Sequence, residues 1–409
     1  MARLATAFSQ NLKRPGLKRH GAAALLVAGL LSACSTVSAP PRVAQAPQAA
    51  PAPVAPMPDM QGPVKVAVLV PLSGQSAAIG QSMLDAAQMA LFDMAGDRLE
   101  LLPRDTKGTP NGAADAARQA LADGAKLIIG PLFAADVAAV RPIAQNAGVD
   151  VLAFTNDSAQ AGNGTYVMGF VPADQVNRVA GFARSQGVTR FTVLAPRSPY
   201  GDAVVNAMQA AGPRLGTAVT QVERYDANVT DLSQPARQVA QEAPLPQAVM
   251  LAEGGPRAQG IASALAANGV PSQQVKLLGT GLWDDSSQGQ GQALGREPAL
   301  VGAWYAAPAP QNRARFESQF EQVYGRKPPR IATLAYDATS IAAVLTRSGG
   351  PVPFDRMAMT NPNGFEGLDG LFRLRGDGQV ERGLAVMEVT PTGARVVDPA
   401  PPTFEMLGQ

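Results

Sequence analysis

Histidine and cysteine are all but missing from this sequence, which holds one of each in 409 residues. Both fall near the start, at His20 and Cys34. Beyond Cys34 the chain has no imidazole and no further thiol. That excludes Ser-His-Asp and Cys-His catalysis and zinc sites built on those ligands. It also excludes a disulfide within the chain. Aromatics are sparse at 5%, and tryptophan occurs only at Trp283 and Trp304. No basic tract with interleaved aromatics is present, so nucleic-acid binding finds no footprint. The apolar stretch from Ala22 to Leu31 falls well short of the ~20 residues a membrane-spanning helix needs. What remains, 46% hydrophobic and 16% charged, suits a folded chain with an ample core.

The short apolar stretch has ordered flanks. Lys13, Arg14, Lys18 and Arg19 precede it, and Leu31-Ser32-Ala33-Cys34 closes it. That order reads as a bacterial lipoprotein signal over residues 1–33, with Cys34 as the lipidation site. A plain secretory signal with a chance cysteine is the alternative. Removal of residues 1–33 leaves 29 basic against 32 acidic residues, a formal charge of −3 in place of +2. Two or three acyl chains on Cys34 hold a protein durably on a membrane. Residues 34–63 then form a Pro- and Ala-rich tether that favours extended polyproline II segments. An unstructured spacer predicts nearly the same behaviour.

After Pro63 the pattern alternates without pause. Apolar runs at Val64–Val70, Leu99–Leu102, Lys126–Ile129, Val151–Phe154, Phe191–Leu194, Ala248–Leu251 and Val275–Leu278 read as buried strands. Ala-rich helical segments separate most of them, among them Ala113–Ala122, Ala134–Gln145 and Gly260–Asn268. Such alternation implies parallel sheets covered on both faces. About 345 residues exceed what one core supports, so an α/β fold of two lobes is expected. We expect lobe 1 over 64–171 and about 304–366, and lobe 2 over about 172–303 and 367–400. Leu371–Leu374, Leu384–Val389 and Ala394–Val397, with turns at Gly376-Asp377-Gly378 and Thr392-Gly393, read as closing antiparallel strands.

Val66-Ala67-Val68-Leu69-Val70-Pro71-Leu72-Ser73-Gly74, with Ile79-Gly80 and Asp85-Ala86-Ala87, resembles the opening of type I periplasmic binding proteins, the leucine/isoleucine/valine receptors. Ile128-Ile129-Gly130-Pro131 and Pro199-Tyr200-Gly201 resemble the next landmarks of that superfamily. Within it, a closer likeness is to the lipoprotein activators of penicillin-binding proteins. Gly130-Pro131-Leu132-Phe133, Val151 to Asp157, Gly279 to Asp284, Gly302 to Pro308 and Ile331 to Ala338 carry it. The helical-repeat domain of larger members has no counterpart in this sequence, so contacts made by that domain are not carried over. The resemblance implies a two-lobed fold with a cleft and no enzyme activity. It implies a bifunctional penicillin-binding protein as partner and a place in peptidoglycan synthesis, with Ser35 after the lipidated cysteine pointing to the outer membrane. The alternative is a lipoprotein that delivers an amino acid or other small polar solute to an ABC importer.

Ligands of open α/β sheets sit at the carboxyl ends of the strands. Candidate cleft residues are therefore Ser73, Gly74, Gln75, Leu132, Phe133, Thr155, Asn156, Tyr200, Glu253 and Trp283. An amino acid needs partners for its carboxylate and its ammonium. Leu132-Phe133-Ala134-Ala135 offers no hydroxyl after the Gly-Pro turn, where the receptors place one. Glu253 suits an ammonium but equally suits a solvated loop. Thr155 and Asn156 suit a ligand, a cap or a turn, and Trp283 suits a stacking platform or a core. Gly-x-Ser-x-Gly, Ser-x-x-Lys and the phosphate-loop pattern are absent. The glycine-rich stretch at 289–295 reads as a loop, and Asp284-Asp285 as a helix cap rather than a carboxylate pair. No cofactor or metal is implied.

Overall fold

A computed structural model of the chain describes residues 62–284, 294–347 and 353–404, which belong to one compact unit. Cys34, the signal, the tether up to residue 61, Asp285 and most of the glycine-rich stretch lie outside the described residues.

The first lobe is a five-stranded parallel sheet in the order β2-β1-β3-β4-β5. Its strands are β1 (Val64–Val70), β2 (Leu99–Asp105), β3 (Leu127–Ile129), β4 (Asp150–Ala153) and β5 (Thr165–Val167). Strand β1 shows why the sheet must be covered twice. Val66, Val68 and Val70 face one core, and Ala67 and Leu69 face another. The second face is closed by α2 (Pro110–Ala122) and α3 (Ala134–Asn146), through Ala113, Ala117, Val137 and Val140. On the first face α1 (Ala77–Met94) packs along a helix that arrives much later in the chain, α9 (Ala332–Arg347). Phe316 and Phe320 of α8 (Pro310–Tyr324) complete that core.

The second lobe is a seven-stranded sheet in the order β15-β14-β10-β9-β8-β6-β7. Strands β6 (Arg190–Pro196), β7 (Ala218–Tyr225), β8 (Ala248–Leu251), β9 (Lys276–Gly279) and β10 (Trp304–Ala307) run parallel. Antiparallel β14 (Ala385–Thr390) and β15 (Gly393–Asp398) extend it. Helices α4 (Pro172–Ser185) and α5 (Pro199–Leu215) cover one face, and α6 (Ser233–Ala240) and α7 (Gly255–Ala267) the other. A small antiparallel sheet, β11 (Phe365–Gly367), β12 (Gly370–Leu374) and β13 (Val380–Arg382), shares the core of the first lobe through Phe372, Leu374 and Val380.

Two element boundaries differ from the sequence reading. Trp304–Ala307 pairs with β9 and β14, so it stays on the second sheet rather than opening the return to the first lobe. Residues 367–382 pack with the first lobe, not the second. Both shifts have one cause: a crossing between lobes is fixed by pairing partners and packing, which leave no mark in local composition. The chain thus passes between the lobes after β5, after β10 and after β13.

Candidate functional site

Between the two sheets, at the carboxyl ends of their parallel strands, lies a cavity of about 550 Å³. The first lobe supplies Ile79, Leu132, Phe133, Phe154, Thr155 and Asn156, with Arg330, Ile331 and Leu334 from the segment entering α9. The second supplies Gln175, Tyr200, Gly254, Gly281 and Leu282. Gly169 and Phe170, on the first crossing between lobes, form its side.

Local sequence explains the placement. Gly80 lets the first turn of α1 rest on the end of β1, since a Cβ there would lie 1.8 Å from the Pro71 carbonyl oxygen. That contact seats Ile79 at the cavity rim. Gly169 does the same for the crossing segment: its Cβ would meet the Thr155 carbonyl oxygen at 2.2 Å. Ser198 caps α5 by accepting a hydrogen bond from Gly201 N, and Pro199 fits the first helical position, so Tyr200 is presented from a fixed first turn.

The polar groups of the wall are largely engaged with one another. The Tyr200 hydroxyl and Thr280 Oγ1 lie 2.7 Å apart, and burial pushes the Tyr200 phenol up to about 12. Gln175 Oε1 accepts from Gly281 N at 2.7 Å. Thr155 Oγ1 accepts from Asp157 N at 3.1 Å, an Asx-like turn contact. Asn156 is exposed and makes no hydrogen bond to another described residue.

Arg330 is the one charged side chain on the wall among the described residues. Its Nε donates to Asp284 Oδ2 at 3.1 Å, and its Nη2 to Asp369 Oδ1 at 2.8 Å. Nη1 reaches Thr333 Oγ1 at 3.0 Å and Asp369 Oδ2 at 3.3 Å, and the guanidinium lies 4.4 Å over the Phe170 ring. Burial opposes the charge, but Asp369 and Asp284 outweigh it and raise the Arg330 pKa. Arg313 pairs with the same Asp284 from α8, so one aspartate at the end of the second sheet joins two arginines of the first lobe. Asp369 is held below the usual carboxylate range, because Arg330 and Arg382 overcome its burial. Asp337 beside it goes the other way, pushed up to about 7 by burial and by the Asp369 charge.

Five of the ten residues proposed from sequence line this cavity: Leu132, Phe133, Thr155, Asn156 and Tyr200. The others do not. Ser73 and Gly74 belong to the turn after β1, where Ser73 Oγ donates to Asp105 Oδ2 at 2.6 Å. Burial of Asp105 is outweighed by the bonds it accepts from Ser73, Lys107 and Leu72, so its pKa is lowered. Gln75 is exposed on the same turn. Glu253 accepts from the Tyr225 hydroxyl and pairs with Arg257, both at 3.0 Å, within the second lobe. Trp283 is fully buried and its Nε1 donates to the Glu253 carbonyl at 2.8 Å. Trp304 packs edge-on against Phe182, away from the wall. Sequence reasoning did not find Arg330, Gln175, Phe170 or Leu282. Only the Gly-Leu sequence after β9 and the Gly-Phe sequence after β5 carry a local signal for any of them. No His, Cys, Asp and Glu cluster suited to a metal occurs among the described residues.

A family model described as periplasmic binding protein matches residues 63–394. The chain belongs to this family. Periplasmic binding proteins are ligand binders rather than enzymes, and the two-lobed α/β architecture with a central cleft is theirs. A branched-chain amino acid ABC transporter periplasmic ligand-binding protein from Burkholderia xenovorans LB400 superposes with a TM-score of 0.69 at 19% identity, over 85% of this chain and 97% of that one. An ABC transporter solute-binding protein from R. palustris, in complex with benzoate, gives 0.61 at 16% identity over 84% and 97%. At such identities the likeness shows the fold. A curated relative, an uncharacterized protein of Rickettsia prowazekii (strain Madrid E), is 22% identical over 183 residues, 45% of this chain. The match spans about half of that relative's length, 49%. Among the described residues, no helix of this periplasmic binding protein is long and apolar enough to cross a membrane.

Proposed function

We propose that this periplasmic binding protein is the solute-binding component of an ABC importer, held at the envelope through lipid on Cys34. The interlobe cavity of about 550 Å³ carries the reading. It falls within the ~300–1,000 Å³ typical of small-molecule sites, both lobes wall it, and it sits at the strand ends where such folds receive ligands. The benzoate complex of a neighbour with the same fold supports a small molecule as the cargo. Because a ligand of the folded state stabilises by RT ln(1 + [L]/Kd), a screen of small solutes read by thermal unfolding tests the proposal. At least one solute raises Tm in a concentration-dependent way. A broad screen without a shift contradicts it.

A second reading is a non-enzymatic activator of a bifunctional penicillin-binding protein at the outer membrane. The likeness of Gly279–Asp284 and Gly302–Pro308 to that family's segments favours it, and so does the engagement of Glu253 by Tyr225 and Arg257, which takes that carboxylate away from a ligand amino group. Adding the purified chain to a bifunctional synthase and following glycan polymerisation tests it. Unchanged rates and no co-sedimentation rule it out.

A further inference from the structure

We infer that the cleft takes a neutral, ring-bearing small molecule and turns away amino acids and carboxylate ions, an assignment that rests on the solute-binding reading above. Charge bookkeeping at the wall leads there. No aspartate or glutamate lines the cavity among the described residues, so a ligand ammonium would lose its water without gaining an anionic partner. Such desolvation is costly. Arg330 is no better placed for a carboxylate. Four of its five N–H donors are already used, by Asp284, Thr333 and Asp369. Asp284 and Asp369 hold those donors in place, and Arg313, which shares Asp284, also pairs with Glu317. Asp369 is fully buried, so its charge stays beside the guanidinium.

The remaining surface favours rings. Phe133, Phe154, Phe170 and Tyr200 come from four different segments to one cavity, with Leu132 and Leu334 between them. Aromatic pairs gain stability beyond area burial alone. Two wall side chains offer neutral amide atoms, Asn156 and Gln175 Nε2, which bond no other described residue, and the Thr155 hydroxyl and one Arg330 N–H remain as single donors. An amide donates and accepts without charge, so it suits a carbonyl, hydroxyl or carboxamide on the ligand.

Benzamide, benzoate and leucine separate the possibilities, since benzamide and benzoate differ in shape very little and in charge by one. Each is titrated by calorimetry into the full chain, purified in detergent, at about pH 7.5, while mass spectrometry of the denatured protein identifies any molecule carried through purification. We expect benzamide to bind at least about ten-fold tighter than benzoate or leucine, about 1.4 kcal/mol, and any released molecule to be uncharged. Benzoate or leucine binding as tightly as benzamide, or release of an ionised solute, overturns the assignment while leaving solute binding intact. No binding of any probe and no released molecule overturns the solute-binding reading itself. A gain-of-function variant guards against misfolding as an explanation. Leu282 is 40% exposed, so Leu282→Arg leaves the core filled and adds a cation without a fixed partner. It should reverse the preference, raising benzoate affinity by about ten-fold over the parent; an unchanged preference in a folded variant also contradicts the assignment.

Discussion

Arg330 shows how one side chain can belong to a ligand site and to the scaffold at once. Its guanidinium holds two buried aspartates from different parts of the chain, Asp284 and Asp369. Removing one partner of a buried ion pair is costly because the other charge is left behind. Arg330→Ala should therefore lower unfolding free energy by about 3–5 kcal/mol in urea melts. Arg330→Lys should recover only part of that, since an ammonium cannot span both carboxylates. Asp136 is the opposite case. Both of its oxygens are buried at the start of α3 without a hydrogen-bond partner among the described residues, and burial pushes its pKa up to about 6. Asp150 and Asp174 are likewise pushed by burial to about 6. Folded pKa values above the ordinary 3.8 mean that the native chain holds more protons than the unfolded one in the interval between. Stability then rises as pH drops from about 7 towards 5 and is lost again as pH climbs through the folded values. Below about pH 4 the depressed Asp369 reverses the trend, as its ionised form is the one the fold favours. Asp136→Asn should add about 1–3 kcal/mol at neutral pH and flatten this profile, measured by thermal melts across pH.

At the scale of elements, glycine marks where backbone must approach backbone. Gly80→Ala pushes a Cβ against the Pro71 carbonyl. Gly169→Ala does so against Thr155 and also shifts the crossing segment that carries Phe170. We expect each to destabilise by about 1–3 kcal/mol. Gly169→Ala should in addition weaken ligand binding, while Gly80→Ala, acting at the rim, weakens it less; calorimetry with the best solute separates them. The strands read with matching bounds are buried on both faces, whereas the half-exposed edge strands β2 and β15 are read only in part. Val64–Val70 and Ala248–Leu251 are read from composition alone with the boundaries the structure gives. Strand β7 escaped, because Ala218–Tyr225 lies at the sheet edge, half-exposed, and mixes Thr, Gln, Glu and Arg among its apolar residues. The same limit applies to the site. Leu132, Phe133, Thr155, Asn156 and Tyr200 follow strands or open helices directly, where the strand-end rule looks, and they line the cavity. Arg330 and Gln175 enter the wall from helix starts set by packing between distant segments, a relation that periodicity does not encode.

For the whole molecule, three chain crossings join the lobes, and Arg382 sits among them. Its Nη2 donates to the Met168 carbonyl at 2.6 Å, and its guanidinium lies 5.1 Å from both the Phe170 and the Phe372 rings. The first and third crossings are thereby linked beside the cavity, since Phe170 lies on the first crossing and lines the wall. The proposed attachment to the envelope through Cys34 is a separate property. Mass spectrometry of the membrane-extracted chain should find Cys34 at its amino terminus carrying acyl groups. An unmodified Cys34 contradicts lipidation as the anchor. The most direct test of solute binding is hydrogen–deuterium exchange with and without the solute that gives the largest thermal shift. The account predicts slowed exchange on both walls together, around Thr155–Phe170 and around Gly281–Leu282. Protection on one lobe only, or none at saturating solute, would contradict a cleft that binds its ligand between the lobes.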